Sequence, residues 1–338
     1  MLRSYIIIVT AFLCACEPGR APVRADALKP AVVTEAVAHD TDDPAIWINA
    51  ADTLKSLIIG TDKDSDGALY AFDLDGRIVR KAGDLRRPNN VDIAYGLLIG
   101  GRRIDVAVLT ERETNKLRVF KLPELTPIDN GGIPVFEGAE ERAPMGIALY
   151  TRPADSTIFA IAGRKSGPAD QYLWQYRLED DGHGAVKGSL VRKFGQYSGK
   201  KEIEAIAVDN KPGYVYYSDE TVGIRKYFAD PDSSSAQLAL FGTTGFASDH
   251  EGISIYPLTD STGYILVSNQ QANTFMVFRR DNQAFVTEVP VSTVESDGSE
   301  VTAVPLGPRF PKGMLVAMSN GKVFHYYSWE DFEGRIKK

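Results

Sequence analysis

Cysteine is nearly absent from this chain: two in 338 residues, Cys14 and Cys16, both inside the first sixteen positions. Downstream of them no thiol is available for a disulfide, a zinc site or a nucleophile. Histidine is scarce too. His39, His183, His250 and His325 are scattered, with no metal-ligand spacing among them. Positive charge is the minority: 38 Lys and Arg against 45 Asp and Glu give a formal charge of −7. That balance excludes nucleic acid as the main partner, because a phosphate-backbone binder needs a basic face. Long amphipathic helical periods are missing as well. What remains is a chain 43% hydrophobic, long enough to bury a large core in one to three domains.

The opening stretch MLRSYIIIVTAFLCAC has one early cation, an apolar run and small residues. Residues 1–15 therefore read as a secretory signal, too short to be a spanning helix. Leu13-Cys14-Ala15-Cys16 resembles a bacterial lipoprotein box, which predicts cleavage before Cys16 and lipidation of its thiol. An ordinary signal peptide is the alternative. Residues 16–30, rich in Pro, Ala and charge, read as a tether, and residues 31–338 as one domain. The expected location is the cell envelope, with membrane contact only through the lipid at Cys16, or else secretion. A monomer is expected.

Short apolar runs recur about every 50 residues. Acid-led runs such as DPAIWI from Asp43, EAIAVD from Glu204 and EGISIY from Glu251 are each followed by a second run, as in SLIIGTDK, GYVYYSDE and GYILVSNQ. A third run follows each, and a weaker fourth closes most units. Four strands repeated six times predict an all-β fold, a six-bladed β-propeller of four-stranded blades. The last unit lacks a clear fourth strand. AVVTEAV, residues 31–37, is the candidate to supply it and close the ring, leaving no open sheet edge.

In a propeller the start of strand one and the end of strand two lie at the same mouth of the channel. Starts of strand one carry Asp42, Asp43, Asp92, Glu204, Asp249, Glu251, Asp297 and Glu300, with Asn89 and Asn90. Ends of strand two carry Asp62 and Lys63, Glu111 and Arg112, Arg164 and Lys165, Asp219 and Glu220, and Asn269 and Gln270. Any one of these acids is more often a turn residue than a ligand. Gathered at one mouth, they repel one another unless a cation sits among them. Many hard oxygen donors suit Ca²⁺. Lys63, Arg112 and Arg164 or Lys165 add the cations that grip phosphate, so the set points to a polyanionic phosphate ester.

The motifs DDPAIW, NNVDI, TER followed by KLRVF, EIEAIAVD, DHEGISIY with GYILVSNQ, and PLGPRFPKG with LVAM resemble those of the β-propeller phytases. The resemblance spans about residues 31–330, nearly the whole expected mature chain. Members of that family are calcium-dependent enzymes that remove phosphate from inositol hexakisphosphate. The resemblance implies a 3-phytase-like hydrolase with several bound calcium ions. It implies phosphate-gripping and catalytic roles for Lys63, Arg112 and either Arg164 or Lys165, and a polar contact from Gln270. It implies calcium ligation by Asp43, Glu204, Glu220 and Glu251, with Asp42, Asp249 and Glu300 as weaker matches. Glu220 would also serve the chemistry. The chain departs from the family pattern at Met145, where a tyrosine is usual, and at Ser319, where an acid is usual.

The expected mechanism is in-line attack on phosphorus by a metal-activated water, without a covalent intermediate. The parts of other phosphatase routes are missing: no Arg-His-Gly nucleophile motif, no usable cysteine, no G-x-x-x-x-G-K-[ST] loop. Two alternatives stand beside this reading. One is a calcium-dependent propeller lactonase, against which the cations speak. The other is a non-catalytic surface lipoprotein, since propellers also serve binding and assembly.

Overall fold

A computed structural model describes residues 21–337. The leader and the lipidation expected at Cys16 lie outside the described residues. The fold is the predicted six-bladed β-propeller, with every blade an antiparallel sheet. Blade 1 runs Thr41–Trp47, Leu57–Asp62, Gly67–Phe72 and Ile78–Leu85; blade 4 runs Ile206–Asp209, Tyr214–Asp219, Gly223–Phe228 and Ala239–Phe241.

The second and third strands are buried on both faces, because each blade is packed between two others. Leu57–Asp62 and Gly67–Phe72 are buried throughout, which is why they read as continuous apolar runs. The outermost strand Ile78–Leu85 has only one covered side and is mostly exposed. One apolar layer fills each of the six blade interfaces. In one, Val106 and Val108 of blade 2 meet Ile147 and Leu149 of blade 3. Hydroxyls then tie neighbouring blades near the mouth: Thr110 donates to the carbonyl of Met145, Ser218 to that of His250, and Ser268 to that of Ser296 at 2.8 Å.

Ring closure follows the expectation. Val32–Val33 pairs with Tyr326 and His325 and completes blade 6 beside Ser299–Thr302, Met314–Ser319 and Val323–Ser328. Of the segment expected to be a tether, the described residues 21–30 lie against the ring. Ala21 donates to the carbonyl of Gln271 and accepts from Asn273 at the mouth. Buried Leu28 then bridges to Val291 of blade 5. The helix Trp329–Ile336 was not read from the sequence; its Trp329 stacks on Tyr256 with ring centroids 3.6 Å apart. No helix of the described residues is long and apolar enough to cross a membrane.

Candidate active site at the channel mouth

Two sets of equivalent positions, one per blade, build the mouth. The first lies where strand one begins. In blades 1, 2, 3 and 5 the register shifts there, over Asp42-Asp43, Asn89-Asn90, Met145-Gly146 and Glu251-Gly252. Such bulges re-aim side chains at a strand end. Blades 4 and 6 place Glu204 and Asp297 at the equivalent position, two residues ahead of their first strands. The inner set is thus Asp42, Asn89, Met145, Glu204, Glu251 and Asp297.

The second set is a pair of residues at the end of strand two, with divided labour. The first member is a latch to the preceding loop. Asp62 accepts from the amides of His39 and Asp40 (3.0 and 2.7 Å), Glu111 from Arg86 (3.0 Å), Asp219 from Ser198 (3.1 Å), Asn269 from Ala247 (2.8 Å) and Ser319 from Val294 (3.1 Å). The second member is Lys63, Arg112, Lys165, Glu220, Gln270 or Asn320, and most of these reach toward the mouth acids.

Arg164 holds the latch position of blade 3 and donates to the carbonyl of Glu141 at 3.0 Å. Its guanidinium lies 4.9 Å from the Phe136 ring centroid and 5.7 Å from those of Tyr172 and Trp174, with 2% of the residue exposed. The expectation that Arg164 faces the mouth is therefore corrected. Lys165, 54% exposed, takes that place, with its Nζ 3.3 Å from Glu202 Oε2.

The inner acids are brought together. Lys63 Nζ contacts Asp42 Oδ1 and lies 3.5 Å from Asp297 Oδ2 and 4.0 Å from Glu204 Oε1. Asn89 bridges Asp42 Oδ2, at 3.0 Å, to Glu204 Oε1. Gln270 donates to Asp297 Oδ1. Arg112 Nη2 contacts the thioether of Met145, and its buried Nε has no hydrogen-bond partner. Burial would lower the Lys63 pKa, but Asp42, Glu204 and Asp297 outweigh it and raise it. Burial raises the carboxyls of Glu204, Glu220 and Glu251, and neighbouring acids add to this.

A divalent cation fits this donor set. Carboxylate oxygens of Glu202, Glu204 and Glu220 lie within 4.8 Å of one another, as do those of Glu220, Asp249 and Glu251. Glu220 Oε1 and Glu251 Oε2 are buried without a hydrogen-bond partner. Buried anionic oxygens left bare are costly, and hard oxygen donors suit Ca²⁺.

Two expected ligands sit elsewhere. Asp43 lies one residue beyond the inner set, in the channel wall, where its Oδ2 accepts from the Val91 amide at 3.0 Å. Glu300 lies three residues beyond Asp297 and faces the channel cavity of about 460 Å³ with Asp92, not the mouth. Glu300 joins neither carboxylate group, which corrects its placement among the mouth acids. Burial lifts its carboxyl to about 8 and that of Asp92 to about 6.

Lys201 is a site residue that sequence reading missed. Its Nζ lies 2.6 Å from Asp249 Oδ2 and 3.2 Å from Glu220 Oε2. In GKKEIE it looks like a solvated charge run, and only its place three residues ahead of Glu204 hints otherwise.

The profile of the phytase family matches residues 5–326. The chain is 29% identical over 314 residues to a 3-phytase of Bacillus subtilis (strain 168), covering 86% of this chain and 79% of that protein. Among solved structures, a chain of a mitotic checkpoint complex superposes with a TM-score of 0.52 at 10% identity, over 95% of this chain and 98% of that one. That likeness is one of fold alone.

Proposed function

This chain belongs to the phytase family. From that premise we propose that it is a calcium-dependent phosphomonoesterase, releasing phosphate from myo-inositol hexakisphosphate or a related ester. The observation that carries this reading is the meeting of bare carboxylate oxygens on Glu220 and Glu251 with the cations Lys63, Arg112 and Lys165 at one mouth.

Glu204, Glu220, Asp249 and Glu251 would hold calcium, with Asp42 beside Glu204 through Asn89 and Asp43 in the channel wall. Bound there, calcium would lower the pKa of a water and offset phosphate charge. Arg112, with an unengaged Nε, would orient a phosphoryl group by its fork of donors. Lys63 and Lys165 would stabilise charge spreading over the equatorial oxygens as the leaving oxygen departs. Asn89 bridges Asp42 and Glu204 at a fixed spacing, and Gln270 holds Asp297 through one donor. The protein would act as a monomer.

A cation set of this kind has no task in a lactonase, and a scaffold has no need of bare buried carboxylates. Assaying wild type and Glu220→Gln on phytate and on a lactone separates these readings. Phosphate release by wild type and its loss in the variant are expected. Lactone turnover without phosphate release, or neither activity, overturns the proposal.

We further propose attachment to the membrane through Cys16. Cys16 is five residues ahead of Ala21, a reach of at most about 18 Å. Because Ala21 bonds to Gln271 and Asn273, such an anchor would set the mouth near the lipid surface.

A further inference from the structure

We propose that Lys201 is a built-in counter-ion that occupies one cation position of the mouth and competes with a divalent ion for it. This rests on the reading of the mouth acids as a metal site.

Two observations carry it. The first is geometric. The Lys201 ammonium is 2.6 Å from Asp249 and 3.2 Å from Glu220, two members of one carboxylate group whose oxygens converge within 4.8 Å. The third member, Glu251, keeps a buried oxygen with no partner. One tethered cation thus satisfies part of the group and leaves the rest bare. The second concerns the loop that delivers it. Tyr197 stacks on Tyr172 at 4.4 Å and donates its hydroxyl to the Lys201 carbonyl. Ser198 is clamped to Asp219, and the Glu220 amide bonds the Glu202 carbonyl. The backbone is pinned on both sides of Lys201, while its side chain is 43% exposed.

A fixed backbone with a half-exposed side chain allows two positions for the ammonium. With the acids bare, it sits between Asp249 and Glu220. With a divalent ion between those acids, charge repulsion turns it outward, where it can meet an oxygen of an anionic substrate. Two cations competing for the same carboxylates bind in opposition.

The test is a calorimetric titration of Ca²⁺ into the metal-stripped full-length protein, comparing wild type with Lys201→Met and Lys200→Met. The second variant removes the same charge from the adjacent residue. The Lys201→Met protein is expected to bind Ca²⁺ about two- to fivefold more tightly than Lys200→Met, the scale of one partly exposed ion pair. Its unfolding temperature in EDTA is expected to fall below wild type, and its gain on adding Ca²⁺ to exceed that of wild type. Equal affinity in both variants overturns the counter-ion proposal and leaves the metal site standing. Absence of Ca²⁺ binding in all three proteins overturns both.

Discussion

Arg164 and Lys165 are consecutive, yet their side chains go to different places: Arg164 into a ring of Phe136, Tyr172 and Trp174, Lys165 to within 3.3 Å of Glu202. The same division of latch and mouth residue recurs at the end of strand two in the other blades. It decides which of two adjacent cations faces the mouth.

Lys165→Met is expected to lower kcat/KM for phytate by about 10²-fold, the scale of removing one donor aimed at transition-state charge. Arg164→Met is expected to leave kcat/KM of the folded enzyme near wild type. It should lower stability by about 1–2 kcal/mol through the lost hydrogen bond and ring contacts. Steady-state kinetics with thermal unfolding checks both; a reversed pattern returns Arg164 to the site.

Lys63→Met is expected to cost about 10²–10³-fold in kcat/KM. The loss should exceed that of Gln270→Met, because Lys63 serves three carboxylates and Gln270 reaches one of them. Equal losses would contradict the central place given to Lys63.

Gly298 lets blade 6 pass against blade 1. A Cβ there would stand 2.3 Å from Asp43 Oδ1 and 2.6 Å from the Asp42 carbonyl. Gly298→Ala should cost about 1–3 kcal/mol and weaken Ca²⁺ binding by displacing the Asp42-Asp43 bulge that aims Asp42 at the mouth. Denaturant unfolding and a Ca²⁺ titration read the two effects. An unaltered Ca²⁺ affinity would show that Asp42 does not help hold the ion.

Glu300 gives a pH dependence whose sign follows from its burial. Its carboxyl ordinarily titrates at 4.5, and in the fold at about 8. The folded state therefore holds the proton longer, so the contribution to stability is full below pH 4.5 and is lost as pH rises toward 8. Asp92 adds the same trend between 3.8 and about 6. In EDTA, Glu300→Gln is expected to flatten the fall in stability between pH 5 and 8. The variant should exceed wild type at pH 8 by on the order of 2 kcal/mol. A variant less stable than wild type at pH 8 contradicts this.

The fold was legible because the middle strands are packed on both faces, so Leu57–Asp62 and its counterparts stand out as apolar runs at a fixed period. The closing strand was legible for a topological reason: a ring leaves one blade short, and residues 31–37 were the spare run. The helix Trp329–Ile336 was not, since eight residues are too few for a period to show. At the site, chain position indicated which residues reach the mouth but not which way they turn. A bulge of two residues carries Asp42 to the mouth and Asp43 to the wall. Three further residues from Asp297 carry Glu300 down the channel. Lys201 was hidden because its role depends on Asp249, which lies in the next blade.

The most direct measurement is phosphate release from phytate by EDTA-stripped protein as Ca²⁺ is added back, with Mg²⁺ in parallel. The account predicts no release without metal, recovery that saturates with Ca²⁺, and little recovery with Mg²⁺, which demands near-ideal octahedral geometry and sheds its waters reluctantly. Full phosphate release by the stripped protein, or none at saturating Ca²⁺, would contradict it.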